Sequence, residues 1–148
     1  MANDHWYRNT DWSAVIEADF QQRLRRTRDK AQRLRIQATY LAKSHPHVAL
    51  QLLDQYFAVD GDHIDIAAAH VARAEAFAAL HDTSAAILAY ESAIERERQF
   101  PQFRTGAYLD LACLVAESRV ARLYSRALQL LDEYQGNADF PVERYRAH

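Results

Sequence analysis

The chain has 148 residues, of which 49% are hydrophobic and 26% are charged, and its formal net charge is −2. This composition is typical of a single globular domain with a packed core, and it excludes a disordered chain. Three glycines and three prolines are too few for the many turns of a β-sandwich or a β-barrel, so the sequence predicts an all-α fold.

The cellular compartment is predicted from three further features. Cys113 is the single cysteine, which excludes an intrachain disulfide. The first ten residues lack the apolar run of a secretory signal, and no stretch of about 18 apolar residues occurs in the sequence. These features predict a cytoplasmic protein without a membrane-spanning helix.

The charge is unevenly distributed along the chain. Residues 1–44 hold nine Lys and Arg against five Asp and Glu, whereas residues 45–148 hold nine against fifteen. A basic head and an acidic body attract each other, within one molecule or between two copies.

The first predicted helical region lies between Asp11 and His45, where neither Gly nor Pro occurs and apolar residues recur at steps of three and four. Unbroken, about thirty residues would span about 45 to 50 Å, which exceeds the width of a small domain. We therefore expect a break near Arg28 to Gln32. Thr10 or Asp11 is expected to cap the start of the first helix.

The later helices are predicted from their turn signals. Pro46 fits the first turn of a helix, and Asp82, Thr83 or Ser84 suits a helix N-cap. The predicted helices cover 47–59, 64–80, 85–99, 105–117 and 119–134, with a short incomplete cap over 135–148.

The regular alanines of residues 69–101 predict close helix crossings. This stretch contains ten alanines. If Ala74 lies on one helix and Ala86 and Ala93 lie on the next, small residues occupy the positions where the two helices approach most closely. The aromatic side chains of Phe77 and Tyr90 then fill the gaps beside them.

This pattern resembles the tetratricopeptide repeat at those five positions, with His70, Arg73 and His81 in place of its usual Trp, Leu and turn Gly. Related spacings recur upstream at Tyr40, Ala49 and Leu53 and downstream at Tyr124, Ala127 and Leu128. The resemblance implies one domain over 1–148, a right-handed superhelix of about three helical hairpins over 31–60, 64–99 and 105–134. Residues 1–30 would form an N-terminal helical extension. Residues 6–38 are also similar to the opening of a group of bacterial tetratricopeptide-like proteins without an established activity.

The resemblance implies a concave groove lined by the first helix of each hairpin. By register, the predicted partner-binding residues are Leu34, Arg35, Ala38, Leu41, Val71, Ala72, Glu75, Leu109, Asp110 and Cys113. They are mostly apolar or small, which favours an amphipathic helix or an apolar extended segment of a protein partner. In the alternative interpretation, the chain's own N-terminal segment fills the groove.

The head contains two further candidate features. Trp6, Tyr7 and Trp12 are either anchors for a partner or a staple that holds the terminal segment on its own domain. The basic run over 23–35 spreads around the helix circumference, which favours a solvated face paired with the acidic body over a nucleic-acid site.

The sequence predicts no catalytic residue, no metal site and no cofactor. Its histidines lack the convergent partners that a zinc site requires, and its glycines are isolated at 61, 106 and 136. Cys113 lies in the apolar context LACLVA, which predicts a buried and inert thiol.

Four leucines at 123, 128, 130 and 131 exceed what one narrow contact stripe needs. We therefore expect a second copy of the chain, as a homodimer, or a partner to complete the C-terminal end.

The leading functional hypothesis is a non-catalytic scaffold or adaptor that binds a protein partner. An antitoxin-type or immunity-type inhibitor of an enzyme is the alternative, and a small helical enzyme acting on nucleic acid is the third hypothesis.

Overall fold

The computed structural model describes residues 5–136, in which seven α-helices and no β-strand occur. The all-α prediction is therefore confirmed for this part of the chain. The helices are α1 (Ala14–Arg26), α2 (Lys30–Leu41), α3 (Pro46–Ala58), α4 (Ile66–Ala79), α5 (Thr83–Gln99), α6 (Ala107–Glu117) and α7 (Tyr124–Gly136). The predicted cap over 135–148 lies outside the described residues, apart from its first two, which end α7. Among the described helices, none combines the length and the apolar character that crossing a membrane requires.

The predicted break in the N-terminal helical region is confirmed, but the predicted N-cap is wrong. Thr27, with φ −86° and ψ 151°, ends α1 in an extended conformation, and α2 begins three residues later. Ser13 caps α1, because its hydroxyl accepts a hydrogen bond from the Ile16 amide at 3.2 Å. The Asp11 carboxylate instead accepts from the adjacent Trp12 amide at 2.8 Å.

The starts of α6 and α7 differ from the prediction for local backbone reasons. Gly106 has a φ of 81°, so α6 begins only after this left-handed residue. Arg119 is also left-handed, with a φ of 53°, and a 3-10 turn over Ala121–Leu123 follows it. The predicted helix over 119–134 therefore begins as α7 at Tyr124.

The α4–α5 turn has the conformation that a tight helical connection requires. His81 has a φ of 60°, and the amide of Asp82 donates to the carbonyl of Phe77 at 2.9 Å, closing the end of α4. The Asp82 side chain then caps α5, accepting from the Ala85 amide at 3.2 Å. This confirms Asp82 as one of the predicted caps.

The helices pack as consecutive pairs, α2 with α3, α4 with α5, and α6 with α7. In addition, α4 contacts both helices of the preceding pair, and α5 contacts α6. Ala74, Ala86 and Ala93 are fully buried, as the prediction of close crossings requires.

The aromatic residues of the head pack on the chain's own core. Phe20 of α1 contacts Trp6 and Trp12 at ring centroid distances of 5.5 and 5.6 Å. Tyr7 is buried, and the Arg33 guanidinium lies 4.3 Å from the centroid of its ring. The staple interpretation of the two tryptophans is confirmed.

A buried amide pair fixes the head to α2. Gln37 is completely buried, and its side-chain oxygen accepts from the backbone and side-chain amides of Asn9 at 3.0 and 2.9 Å. Its amide group donates to the Asn9 carbonyl at 2.9 Å. The pair satisfies the polar groups that burial would otherwise leave without partners.

Candidate functional site

Four of the ten predicted groove residues are buried in the core. Leu34, Ala38, Leu41 and Ala72 are each at most 2% exposed. The small residues of α4 pack directly on this face of α2. The prediction that these four side chains line an open groove is therefore wrong, because Leu34, Ala38 and Leu41 of α2 are covered by α4, and Ala72 of α4 is buried against the same core.

Arg35, the only cation of the predicted groove, forms an internal ion pair. Its Nε lies 3.0 Å from a carboxylate oxygen of Asp65, and the other oxygen of Asp65 accepts a hydrogen bond from the Tyr56 hydroxyl at 2.7 Å. Burial and this hydrogen bond raise the pKa of Tyr56, so its hydroxyl stays protonated. This network holds the start of α4 against α2 and α3.

The remaining predicted residues lie on α4 and α6, on a surface that we call the α4/α6 face. Val71, Glu75, Leu109 and Asp110 are half-buried, and Cys113 is exposed, which corrects the prediction of a buried thiol. Helix α6 turns this cysteine outward although its sequence neighbours are apolar.

The α4/α6 face is acidic. Burial raises the pKa of Glu75, and the charge of Asp110 raises it further, whereas Lys43 lowers it. Burial also raises the pKa of Tyr90, with smaller contributions from Asp110, Glu75 and Cys113. The structure thus brings Glu75, Asp110 and Cys113 together around the Tyr90 hydroxyl.

A second surface, which was not predicted, lies between α4 and α5. This α4/α5 groove has a volume of about 230 Å³ and is lined by His70, Arg73, Phe77, Ala85, Leu88, Ala89 and Ser92. It continues along α5 as a wider cleft of about 600 Å³ that shares His70, Leu88 and Ser92 with it. Leu88 is 69% exposed, so an apolar side chain lies open to solvent in the groove.

Aromatic rings form a platform beside the groove. The ring centroids of Phe57, at the end of α3, and His70 are 5.0 Å apart. The Arg73 guanidinium lies 5.8 Å from the Phe57 centroid and 5.7 Å from the Phe77 centroid. Both distances are within the range of cation–π contacts, so the two rings position this guanidinium.

The carboxylates along the groove and its cleft are already paired. Glu91 binds Arg126 at 2.8 Å, and Glu95 contacts Arg98 at 3.6 Å. The Arg96 guanidinium binds Asp62 at 2.6 Å. Within residues 5–136, Arg73 has no carboxylate at ion-pair distance. Arg23, Arg35, Arg96, Arg98 and Arg126, by contrast, each have one.

His70 contributes a neutral ring to the groove. Burial lowers its pKa below the ordinary value of 6.5, and the charges of Arg73 and Arg96 lower it further. Its Nδ1 atom is buried and has no hydrogen-bond partner in the described part of the chain. Arg73 is therefore the residue that gives the groove its positive charge.

The sequence did contain a signal for this groove. In the tetratricopeptide resemblance predicted from the sequence, His70 and Arg73 replace the usual Trp and Leu, and both line this groove together with Phe77. Polar substitution at a pair of normally apolar positions indicates a face that is not fully packed.

A third opening, of about 650 Å³, lies between the α1–α2 junction and the α3–α4 loop. Its lining mixes cations such as Arg28 and Lys30 with carboxylates such as Asp60 and Asp62.

No three His, Cys, Asp or Glu side chains of the described residues are placed to hold one metal ion.

Comparison with known proteins found no matching family model, no similar curated protein and no similar solved structure. The tetratricopeptide resemblance therefore remains a prediction.

Proposed function

We propose that the chain is a non-catalytic, cytoplasmic scaffold of tetratricopeptide-like hairpins that binds a protein partner through the α4/α5 groove. The observation that carries the proposal is the exposed side chain of Leu88 in a groove whose floor and walls are largely apolar or aromatic. A single exposed leucine is ordinary on a protein surface. Here the exposed leucine offers a partner apolar area to bury, and it shares its groove with an arginine, a residue type that is enriched at interface hot spots.

The repeat part of the proposal is supported by the order of helix packing. Helix α4 contacts both α2 and α3, as expected when the first helix of one hairpin stacks on the preceding hairpin. The fully buried Ala74, Ala86 and Ala93 occupy the small positions of the resemblance. Stacking of this kind in a right-handed sense would produce the proposed superhelix.

The contacts of the basic run favour a structural role over nucleic-acid binding. Arg23 pairs with Asp19 on its own helix, Arg35 pairs with Asp65 of the acidic body, and Arg33 lies over the Tyr7 ring. Cations that are held by intramolecular partners contribute less to phosphate binding than free ones do.

Affinity capture of the full chain from its native cells, followed by mass spectrometry, tests the scaffold proposal. Burying one leucine side chain stabilises a complex by about 1.5 to 3 kcal/mol, so Leu88→Asp should remove the partner that the wild type captures. Val15→Asp is the matched control, because Val15 is exposed on α1. The proposal is wrong if Leu88→Asp retains every wild-type partner, or if Val15→Asp loses the same partner.

The identity of the captured protein would distinguish an adaptor from an inhibitor. An enzyme whose activity falls when the chain binds would favour the antitoxin-type or immunity-type alternative, which would use the same groove.

A further inference from the structure

We propose that the occupant of the α4/α5 groove is an acidic amphipathic segment of the partner, with a carboxylate bound to Arg73 and an apolar side chain placed against Leu88. This inference rests on the proposed function and adds the chemistry of the partner to it.

The charge of the groove supports an acidic occupant. Glu91, Glu95 and Arg96 each have an internal partner of opposite charge, so their charges are largely compensated. Arg73 has cation–π contacts but no ion pair within the described residues. A carboxylate is therefore the group that the groove is best able to attract.

The geometry around Arg73 also favours a carboxylate. Aromatic rings contact a guanidinium through its π face and leave the N–H groups at its edge available. Those N–H groups match the two oxygens of a carboxylate, and such charge-assisted pairs are stronger than neutral hydrogen bonds. Because Phe57 and Phe77 already position the guanidinium, less side-chain entropy is lost on binding.

The spacing of the groove predicts the pattern of the segment. Arg73 and Leu88 line the same small cavity, one from α4 and the other from α5. An occupant that reaches both needs its acidic and apolar side chains next to each other on one face. A helix achieves this with residues three or four apart.

Selection of a random 16-residue phage-displayed peptide library on the full chain tests this inference. On the wild type, we expect enrichment of peptides with Asp or Glu three or four positions from Leu, Ile, Met or Phe. On Arg73→Glu, the acidic preference should disappear and basic residues should replace it. Arg122→Glu makes the same charge change at an exposed position on the 3-10 turn and should select the same peptides as the wild type.

A synthetic peptide from the wild-type selection then gives a quantitative measurement by fluorescence anisotropy. Arg73→Gln should weaken binding about tenfold or more, the loss expected for one charged hydrogen-bonding group. Leu88→Asp should weaken binding at least as much, whereas Arg122→Gln should leave it unchanged. Thermal melts by circular dichroism confirm that each variant is folded.

The failures of the two proposals are distinguishable. If no peptide is enriched on any variant, the groove is not a peptide-binding surface, and both proposals fail. If peptides are enriched without acidic residues, or bind Arg73→Glu as well as the wild type, only the acidic inference fails. Self-association that Leu88→Asp abolishes would identify a second copy as the occupant and overturn the inference.

Discussion

At the scale of single residues, the chemistry of the groove depends on the proximity of His70 and Arg73. Burial is the main reason for the low pKa of His70, and the Arg73 charge is the next. In the folded chain, the ring therefore stays neutral at pH values where an exposed histidine is already partly protonated. As the pH falls below 6.5, the unfolded chain gains the proton more readily, and His70 lowers the stability of the fold.

The pKa of His70 gives a direct test of this arrangement. In an NMR titration, the ring protons of His70 should have a midpoint below 6.5. Arg73→Gln should raise the midpoint, because it removes a nearby positive charge, but only part of the way, since burial remains. Arg122→Gln should not move it. A midpoint that Arg73→Gln leaves unchanged would show that the two side chains do not interact.

At the scale of helices, the close crossing of α4 and α5 depends on the small side chains between them. Ala86 is fully buried, so Ala86→Leu inserts a larger side chain where α5 is closely packed. The expected loss of stability is about 1 to 3 kcal/mol, and each kcal/mol lowers the melting temperature by about 2 to 4 °C in a domain of this size.

Ala18→Leu on α1 is the matched control for that melting experiment, because Ala18 is exposed, and its melting temperature should be close to that of the wild type. Equal melting temperatures for Ala86→Leu and the wild type would contradict the assigned crossing.

These helices also show how far the sequence determines the fold. The periodicity of apolar residues and the spacing of alanines were sufficient to predict α5 and its buried face, because both signals are local. The start of α7 was mispredicted because a non-glycine residue, Arg119, adopts the left-handed conformation there.

The candidate site was harder to predict than the helices. Leu34 and Ala38 have the pattern of a groove-lining face, yet α4 covers that face. Periodicity shows which side of a helix is apolar, but it does not show whether a neighbouring helix or a partner covers it. The α4/α5 groove could not be predicted for the same reason. Its existence depends on how far apart α3, α4 and α5 pack, and the periodicity of each helix does not determine that distance.

At the scale of the whole molecule, the predicted homodimer through the C-terminal end would depend on two exposed side chains of α7, because Leu123 and Leu131 pack partly on the chain's own core. Leu130 is buried, but Leu128 is 64% exposed, and Tyr124 lies one turn before it and is also exposed. Two copies that pair Tyr124 and Leu128 around a two-fold axis would bury both side chains.

Light scattering coupled to size-exclusion chromatography tests this assembly at tens of micromolar protein. The wild type should have about twice the chain mass of 17.0 kDa, and Leu128→Glu should have the mass of one chain. Val15→Glu, at an exposed position on α1, should remain dimeric. A wild type with the mass of one chain would contradict the homodimer.

The reciprocal hydrogen bonds between Asn9 and Gln37 mean that the hairpin of α2 and α3 cannot be separated from the head without loss. The hairpin of α2 and α3 contains a buried amide whose hydrogen-bonding groups are satisfied by a residue 28 positions earlier. Moved without its head, this hairpin would carry an unsatisfied polar group into its new core. A designer who wishes to reuse it must transfer the head as well, or replace Gln37 with an apolar residue.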